Sequence, residues 1–194
     1  DDANTYFGRA AADTLIITTA GTERIRVNSA GNLEQTLDSD AQGFKQTAAG
    51  NHYIKNIADA NRSSAAASIL ALQARWNAKD VSAIKFRTGA DTANKDDGHI
   101  CFETSSANNI AESMRLNSDG RLLIGHTSSV DIYAHSKLQV AATDSNGSIS
   151  VSRWSNDGSS PYLNFGKSRG GIGSYTVVQD DDRLGQINFC GADG

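Results

Sequence analysis

Two acidic clusters offer the first candidates for chemistry in this chain. Asp180-Asp181-Asp182 precedes the run that starts at Gly185, and Lys95-Asp96-Asp97 precedes Gly98. Carboxylates grouped in a loop can hold calcium, and a suitably spaced pair can hydrolyse a glycosidic bond. Hydrolysis also needs a groove and a positioned second carboxylate, so a solvated loop ahead of a strand is the better reading of both clusters. The four histidines, His52, His99, His126 and His135, lack the H-x3-H or H-E-x-x-H spacing of a metal site. His126 follows Gly125 and reads as a turn residue. The two cysteines, Cys101 and Cys190, have no short spacing and read as free thiols in corresponding strands. Ser168 to Ser174 is glycine-rich but lacks the Lys-Ser/Thr end of a phosphate loop, and no helical pattern follows, so it reads as a hairpin loop. No catalytic residue, metal ligand or cofactor site is expected, and the chain does not read as an enzyme. Trp76, Trp154, Tyr162 and Tyr175 could stack on sugars. Trp76 and Trp154 recur at equivalent places, which favours packing in strands or across chains.

The elements that carry these residues are short and β-like. Hydrophobic residues make up 38% of the chain, with 18 glycines and a single proline, Pro161. Average domains hold roughly 45–50% apolar residues, glycine included, so the core is thin, and thin cores are often completed by further copies of the chain. The net charge of -4 comes from interspersed charges with no basic stripe, which gives nucleic-acid binding little support. No apolar run approaches the roughly 20 residues that span a bilayer as a helix. The chain opens on Asp1-Asp2-Ala3 and reads as a piece of a longer polypeptide.

The strongest signal is an internal repeat. Glu23-Arg24-Ile25-Arg26-Val27-Asn28-Ser29-Ala30-Gly31 returns as Glu112-Ser113-Met114-Arg115-Leu116-Asn117-Ser118-Asp119-Gly120. Apolar and polar residues alternate up to the Asn, which predicts a half-buried strand. Asn-Ser-x-Gly then predicts a turn, and Leu122-Leu123-Ile124 before Gly125 a second strand. Weaker echoes pair Ser82–Phe86 with Pro161–Phe165 and Gly98–Phe102 with Gly185–Phe189. The expected organisation is the end of a β module over 1–33, a linker over 34–50, a β module over 51–125, a linker over 126–137 and a truncated β module over 138–194. Ala65–Arg75 is rich in helix formers, but its counterpart at Ser148–Arg153 alternates cleanly, so strand is favoured there.

The repeated motif, at Thr22–Leu33 and Ala111–Gly125, resembles a hairpin repeat of tail-fibre proteins of tailed bacteriophages, frequent in phages of marine bacteria and cyanobacteria. Ser82–Thr88, Gly98–Thr104, Ser152–Gly166 and Arg183–Gly191 look like the strands that precede it. The first copy departs from the pattern: after Leu33 it continues Glu34-Gln35-Thr36 without the Leu-Leu-Ile-Gly run. The resemblance implies a mainly β chain of repeated short antiparallel hairpins in an elongated, intertwined homotrimer. It also implies a virion protein that joins other phage tail proteins and supports or presents binding to a host polysaccharide or protein receptor. Independently of it, one array of hairpins with a single apolar face leaves that face and its strand edges open, and three chains about an axis would bury both. Ile25, Val27, Ile84, Phe86, Ile100, Phe102, Met114, Leu116, Leu163, Phe165, Ile187 and Phe189 would belong to that core. Three alternatives stand beside this reading: a fragment that itself binds glycan, a depolymerising tailspike, and a module of a trimeric bacterial adhesin or capsid decoration protein.

Overall fold

A computed structural model describes residues 3–35, 56–131 and 136–191. The chain divides into two compact units, Asp1–Ile57 and Ala58–Gly194. Among the described residues all regular structure is β, in two separate sheets.

The first unit is a four-stranded antiparallel meander of β1 (Tyr6–Gly8), β2 (Leu15–Thr19), β3 (Thr22–Val27) and β4 (Leu33–Gln35). The second unit carries β5 (Ser68–Trp76), β6 (Lys79–Thr88), β7 (Gly98–Ser106), β8 (Asn109–Leu116), β9 (Leu122–Ile124) and β10 (Leu138–Val140). β5 to β9 form an antiparallel meander, and β10 joins β9 in parallel as the opposite edge.

Three of the hairpins turn in two residues, at Ala20-Gly21, Asn77-Ala78 and Ala107-Asn108. Both residues of each pair have positive φ, between 47° and 73°. This is the mirror-image turn whose twist matches that of the flanking strands. The longer turns after the motif strands share one set of bonds. The side-chain oxygen of Asn28 accepts from the amides of Ala30 and Asn32, each at 3.0 Å. That of Asn117 accepts from Asp119 and Arg121 at 3.1 and 2.9 Å. Gly31 and Gly120 close these turns at φ +80° and +68°, a region a side chain would strain.

A bulge explains the order of residues in the motif. Ile17 opposes Ile25 and Thr18 opposes Glu23, leaving Arg24 unopposed. Phe102 opposes Met114 and Glu103 opposes Glu112, leaving Ser113 unopposed. In a regular strand, residues three apart face opposite sides. The extra residue turns Glu23 onto the face of Arg26, and Glu112 onto the face of Arg115.

Several expectations are corrected. Ala65–Arg75 does form a strand, from Ser68, and the described part of the 34–50 stretch is not all linker: Glu34 and Gln35 belong to β4. The remainder of that stretch, from Thr36, lies outside the described residues, as do residues 51–55, His52 and His135. Leu138–Val140, assigned to the third module, is instead the edge of the second sheet. From Ala141 to Gly191 no strand forms. The expected strands there find no ladder partner in their own chain, and Cys190 lies in no strand. In one chain, of the sheet positions expected in the core between chains, Ile25, Val27, Ile84, Ile100, Phe102 and Met114 are half-buried and Phe86 and Leu116 exposed, while the buried side chains are Ile16, Ala83, Cys101 and Leu123, with Thr18, Glu103 and Arg115. Within the second sheet no strand packs face to face on another, and the residues of the aliphatic face are half-buried or exposed. The other face is shielded by its own long charged side chains.

Candidate functional site

The two faces of the six-stranded sheet differ in kind. On one, Leu70, Phe86, Ile100, Leu116, Leu122 and Leu138 stand opposite one another across all six strands. Beside them runs a second row, Leu72, Ile84, Phe102, Met114, Ile124 and Val140. No charge interrupts either row. Cross-strand pairs of this type stabilise a sheet, and here they form one continuous apolar stripe. Leu72 is 60% exposed and Leu138 52%. In the first unit, Leu15, Val27 and Leu33 repeat the first row, while Ile17 and Ile25 begin the second, which ends at Gln35.

The opposite face holds a closed chain of ion pairs. Lys85 Nζ lies 2.6 Å from Glu103 Oε2, and Arg87 bonds both Glu103 and, at 3.3 Å, Glu112. Arg115 forks onto Glu112, its Nη2 donating at 2.8 Å. The same fork joins Arg26 to Glu23 at 2.7 and 2.6 Å in the first unit, but there both side chains are about 30% exposed (31% and 29%). In the second unit they are 8% exposed. Burial alone would raise the Glu112 carboxyl, but the hydrogen bond and charge of Arg115, with Cys101 and Arg87, hold it below its ordinary value. Cys101 is fully enclosed among these groups. Burial first, then the Glu112 charge, pushes its thiol up to about 11. Such a thiol stays protonated at neutral pH, and the thiolate is the nucleophile, so this is not the activated kind of cysteine.

The acidic clusters are structural within their loops. Asp97 closes the loop between β6 and β7, accepting from the amide of Ala90 at 2.9 Å, while its carbonyl accepts from Gly89 at 3.1 Å. Asp96 lies beside it, exposed. Asp91 in the same loop is held below the ordinary carboxylate value by the backbone and side chain of Asn94 and the backbone of Ala93. Asp182 takes the fork of Arg169 at 2.7 and 2.9 Å and the amide of Gln179 at 2.9 Å. These bonds, Arg169 foremost, with Lys167 3.7 Å away, bring its carboxyl down to about 2. Asp180 and Asp181 are exposed on the turn before it. Among the described residues, no three His, Cys, Asp or Glu side chains are grouped to hold a metal ion. His126 Nδ1 lies 2.7 Å from the carbonyl of Ser128. The glycine-rich stretch is a turn in which Ser174 donates its amide to Gly171 at 3.0 Å. A pocket of about 340 Å3 between Ala58–Arg62 and the β6–β7 loop is lined by Asn61, Arg62, Asp91, Lys95 and Asp97. Lys95 and Asn61 in it bond each other, and Arg62 bonds the carbonyl of Ser68. Among the described residues no helix is long and apolar enough to cross a membrane.

The sequence marked the Glu-x-x-Arg motif but not what it builds. The signal that could have found the fork is an opposite-charge pair three apart inside a strand pattern, which makes sense only with a bulge. Trp76, Trp154 and Tyr175 are 78%, 94% and 97% exposed, so the packing expected of the tryptophans does not occur within one chain.

No protein-family model and no curated protein matches this sequence.

Proposed function

We propose that this chain is a structural segment of a bacteriophage tail fibre. In this reading it assembles as a homotrimer in the virion, joins other tail proteins and supports or presents host-receptor binding during adsorption. It acts by shape and assembly rather than as an enzyme. The observation that carries the reading is the apolar surface one chain leaves open. On the aliphatic sheet face Leu72 is 60% exposed, Leu138 52% and Leu116 40%, and along 141–191 Ile149, Leu163, Ile187 and Phe189 are 67–96% exposed. Contiguous open apolar surface of this kind marks an interaction site. The resemblance of the repeated hairpin motif supplies the phage context, and the matching bulges and turns at Thr22–Leu33 and Ala111–Gly125 accord with a repeat.

Light scattering on the purified native chain tests the assembly. Three copies are expected, and a stable monomer would overturn the reading. The exposure of Trp154, Tyr162 and Tyr175 favours a second reading in which the 141–191 stretch contacts host polysaccharide directly. Measured glycan binding by the purified chain, lost when Trp154 is replaced by Ala, would support it.

A further inference from the structure

We propose that Lys95 and Asn61 form a covalent site, in which the lysine amine and the asparagine carboxamide of one chain condense to an isopeptide bond with loss of ammonia. The proposal concerns two residues of a single chain and stands apart from the fibre reading.

The loop between β6 and β7 is built to present Lys95. Asp91 accepts from the amides of Ala93 and Asn94 at 2.9 Å and from the Asn94 side chain at 2.8 Å, and Asp97 accepts from Ala90 at 2.9 Å. Between these anchors Lys95 is held at φ +60°, a strained conformation that persists only where the surroundings impose it. Its Nζ lies 2.5 Å from Asn61 Oδ1, across 34 residues of sequence. Arg75, Arg87 and Arg115 each face a carboxylate. Among the described residues Lys95 has none, and its partner is a carboxamide, which is an electrophile. The carbon Cγ is bonded to the contacted oxygen, so a rotation of the carboxamide turns it to the amine. Reactants held in this way meet at an effective concentration far above that in solution.

The remaining parts line the same pocket, where Ile69 gives an apolar wall and Asp59, Asp91 and Asp97 give carboxylates. Asp91 and Asp97 are engaged by loop amides. Asp59 makes no hydrogen bond or ion pair among the described residues, so it is the carboxylate left to carry a proton. The neutral amine is the nucleophile. The Nζ–Cγ bond forms and the Cγ–Nδ2 bond breaks. A proton passes from Nζ to the departing nitrogen, relayed by Asp59. Lys95 enters as ammonium and the leaving ammonia departs as ammonium, so charge balances and no oxidant is needed. The bond would tie the segment ahead of β5 to the far side of β6. β5 is an edge strand, so tension on the chain at Ala58 would pass into the β6–β7 loop instead of peeling that edge. Closing the ring also restricts the unfolded chain, as a disulfide does.

Mass spectrometry of the purified full chain tests the bond. The intact mass is expected to fall below the sequence mass by one ammonia. Trypsin does not cleave after an acylated lysine, so digestion should yield one branched species that joins peptides 56–62 and 88–115. Lys95→Arg keeps the charge and should restore the full mass. Asp59→Asn should slow bond formation at least tenfold. Full mass in the wild-type chain after prolonged incubation at pH 9 would overturn the proposal. So would an ammonia loss found only in a linear peptide at Asn146-Gly147, where attack by the next backbone nitrogen releases the same mass. An unchanged rate in Asp59→Asn, with the branched peptide present, would overturn the part given to Asp59 and leave the bond standing. If Lys95→Arg does not fold, the branched peptide of the wild-type chain decides alone.

Discussion

Replacing Glu112 by Gln tests whether burial, rather than the motif itself, gives the fork its value. Glu112 accepts both nitrogens of the Arg115 fork and a third bond from Arg87, and it is 8% exposed. The substitution preserves shape and removes the charge. Arg87 retains Glu103, but Arg115 is left buried without an anion. Removing one partner of a buried pair costs about 3–5 kcal/mol, and the low end applies because Gln can still accept one bond. A loss of about 3 kcal/mol corresponds to roughly 6–12 °C in Tm for a unit of this size. Thermal denaturation followed by circular dichroism at one fixed concentration is the assay, with Glu23→Gln as the matched control. Glu23 makes the same fork at the surface, where solvent screens it, so its loss should be far smaller. The double variant Glu112→Gln with Arg115→Met should recover most of the stability, since a neutral buried pair no longer strands a charge. Equal losses for Glu112→Gln and Glu23→Gln, or no recovery in the double variant, would refute the reasoning.

Further outcomes follow from the same geometry. Gly120→Ala forces φ +68° on a residue with a side chain and should cost about 1–2 kcal/mol. Gly125→Ala should cost more in the same denaturation assay, because its φ is +81° and its new Cβ would lie 2.3 Å from the carbonyl oxygen of Ala141. At pH 8, iodoacetamide followed by mass spectrometry should modify Cys190, which is exposed, and leave Cys101 intact until the chain is unfolded. Asp182 should make stability pH-dependent in acid. Its carboxyl is depressed from the ordinary 3.8 to about 2, so its contribution is present above about pH 4 and lost as the pH falls toward 2. Asp182→Asn should reduce, and not abolish, the change in denaturation midpoint between pH 5 and pH 2, since Glu112 and Asp91 are depressed as well.

Much of the second sheet was legible in the residues. Alternation located Ser82–Phe86, Gly98–Phe102 and Met114–Asn117, and Asn-Ser-x-Gly located both longer turns. Comparison with Ser148–Arg153 chose strand over helix at Ala65–Arg75, although the counterpart itself forms no strand in one chain. The tight turns escaped notice because Asn77-Ala78 and Ala107-Asn108 lack the Asn-Gly signal. There the strand pairing on either side holds alanine or asparagine at a positive φ that their own preferences do not select. One chain leaves its aliphatic rows half-buried or exposed for a physical reason. Periodicity reports which side chains prefer to leave water, and it predicts their burial only if something is there to cover them. Over 141–191 the alternation is just as clear, but alternation alone names no hydrogen-bond partner, and a strand requires one. The acidic clusters were read as loops ahead of strands. The bonds of Asp97 and Asp182 show what such carboxylates do there, which is to tie loop amides and a neighbouring arginine.

The bulge in each motif hairpin bears on a hazard peculiar to chains that contain near-copies of themselves. Two hairpins of similar sequence can exchange strands or slip along one another during folding, and alternation alone penalises an even-numbered slip only weakly. A glutamate and an arginine three apart meet on one face only when the extra residue sits between them. An alignment without that bulge separates the pair and sends one charge toward the aliphatic side. The fork therefore favours alignments that keep the bulge in place. The two copies are also graded differently, one half-open and ending at Gln35, the other enclosed and ending at Ile124. A strand taken from the wrong copy would bring glutamine into an aliphatic row, so each hairpin carries its own means of rejecting the other.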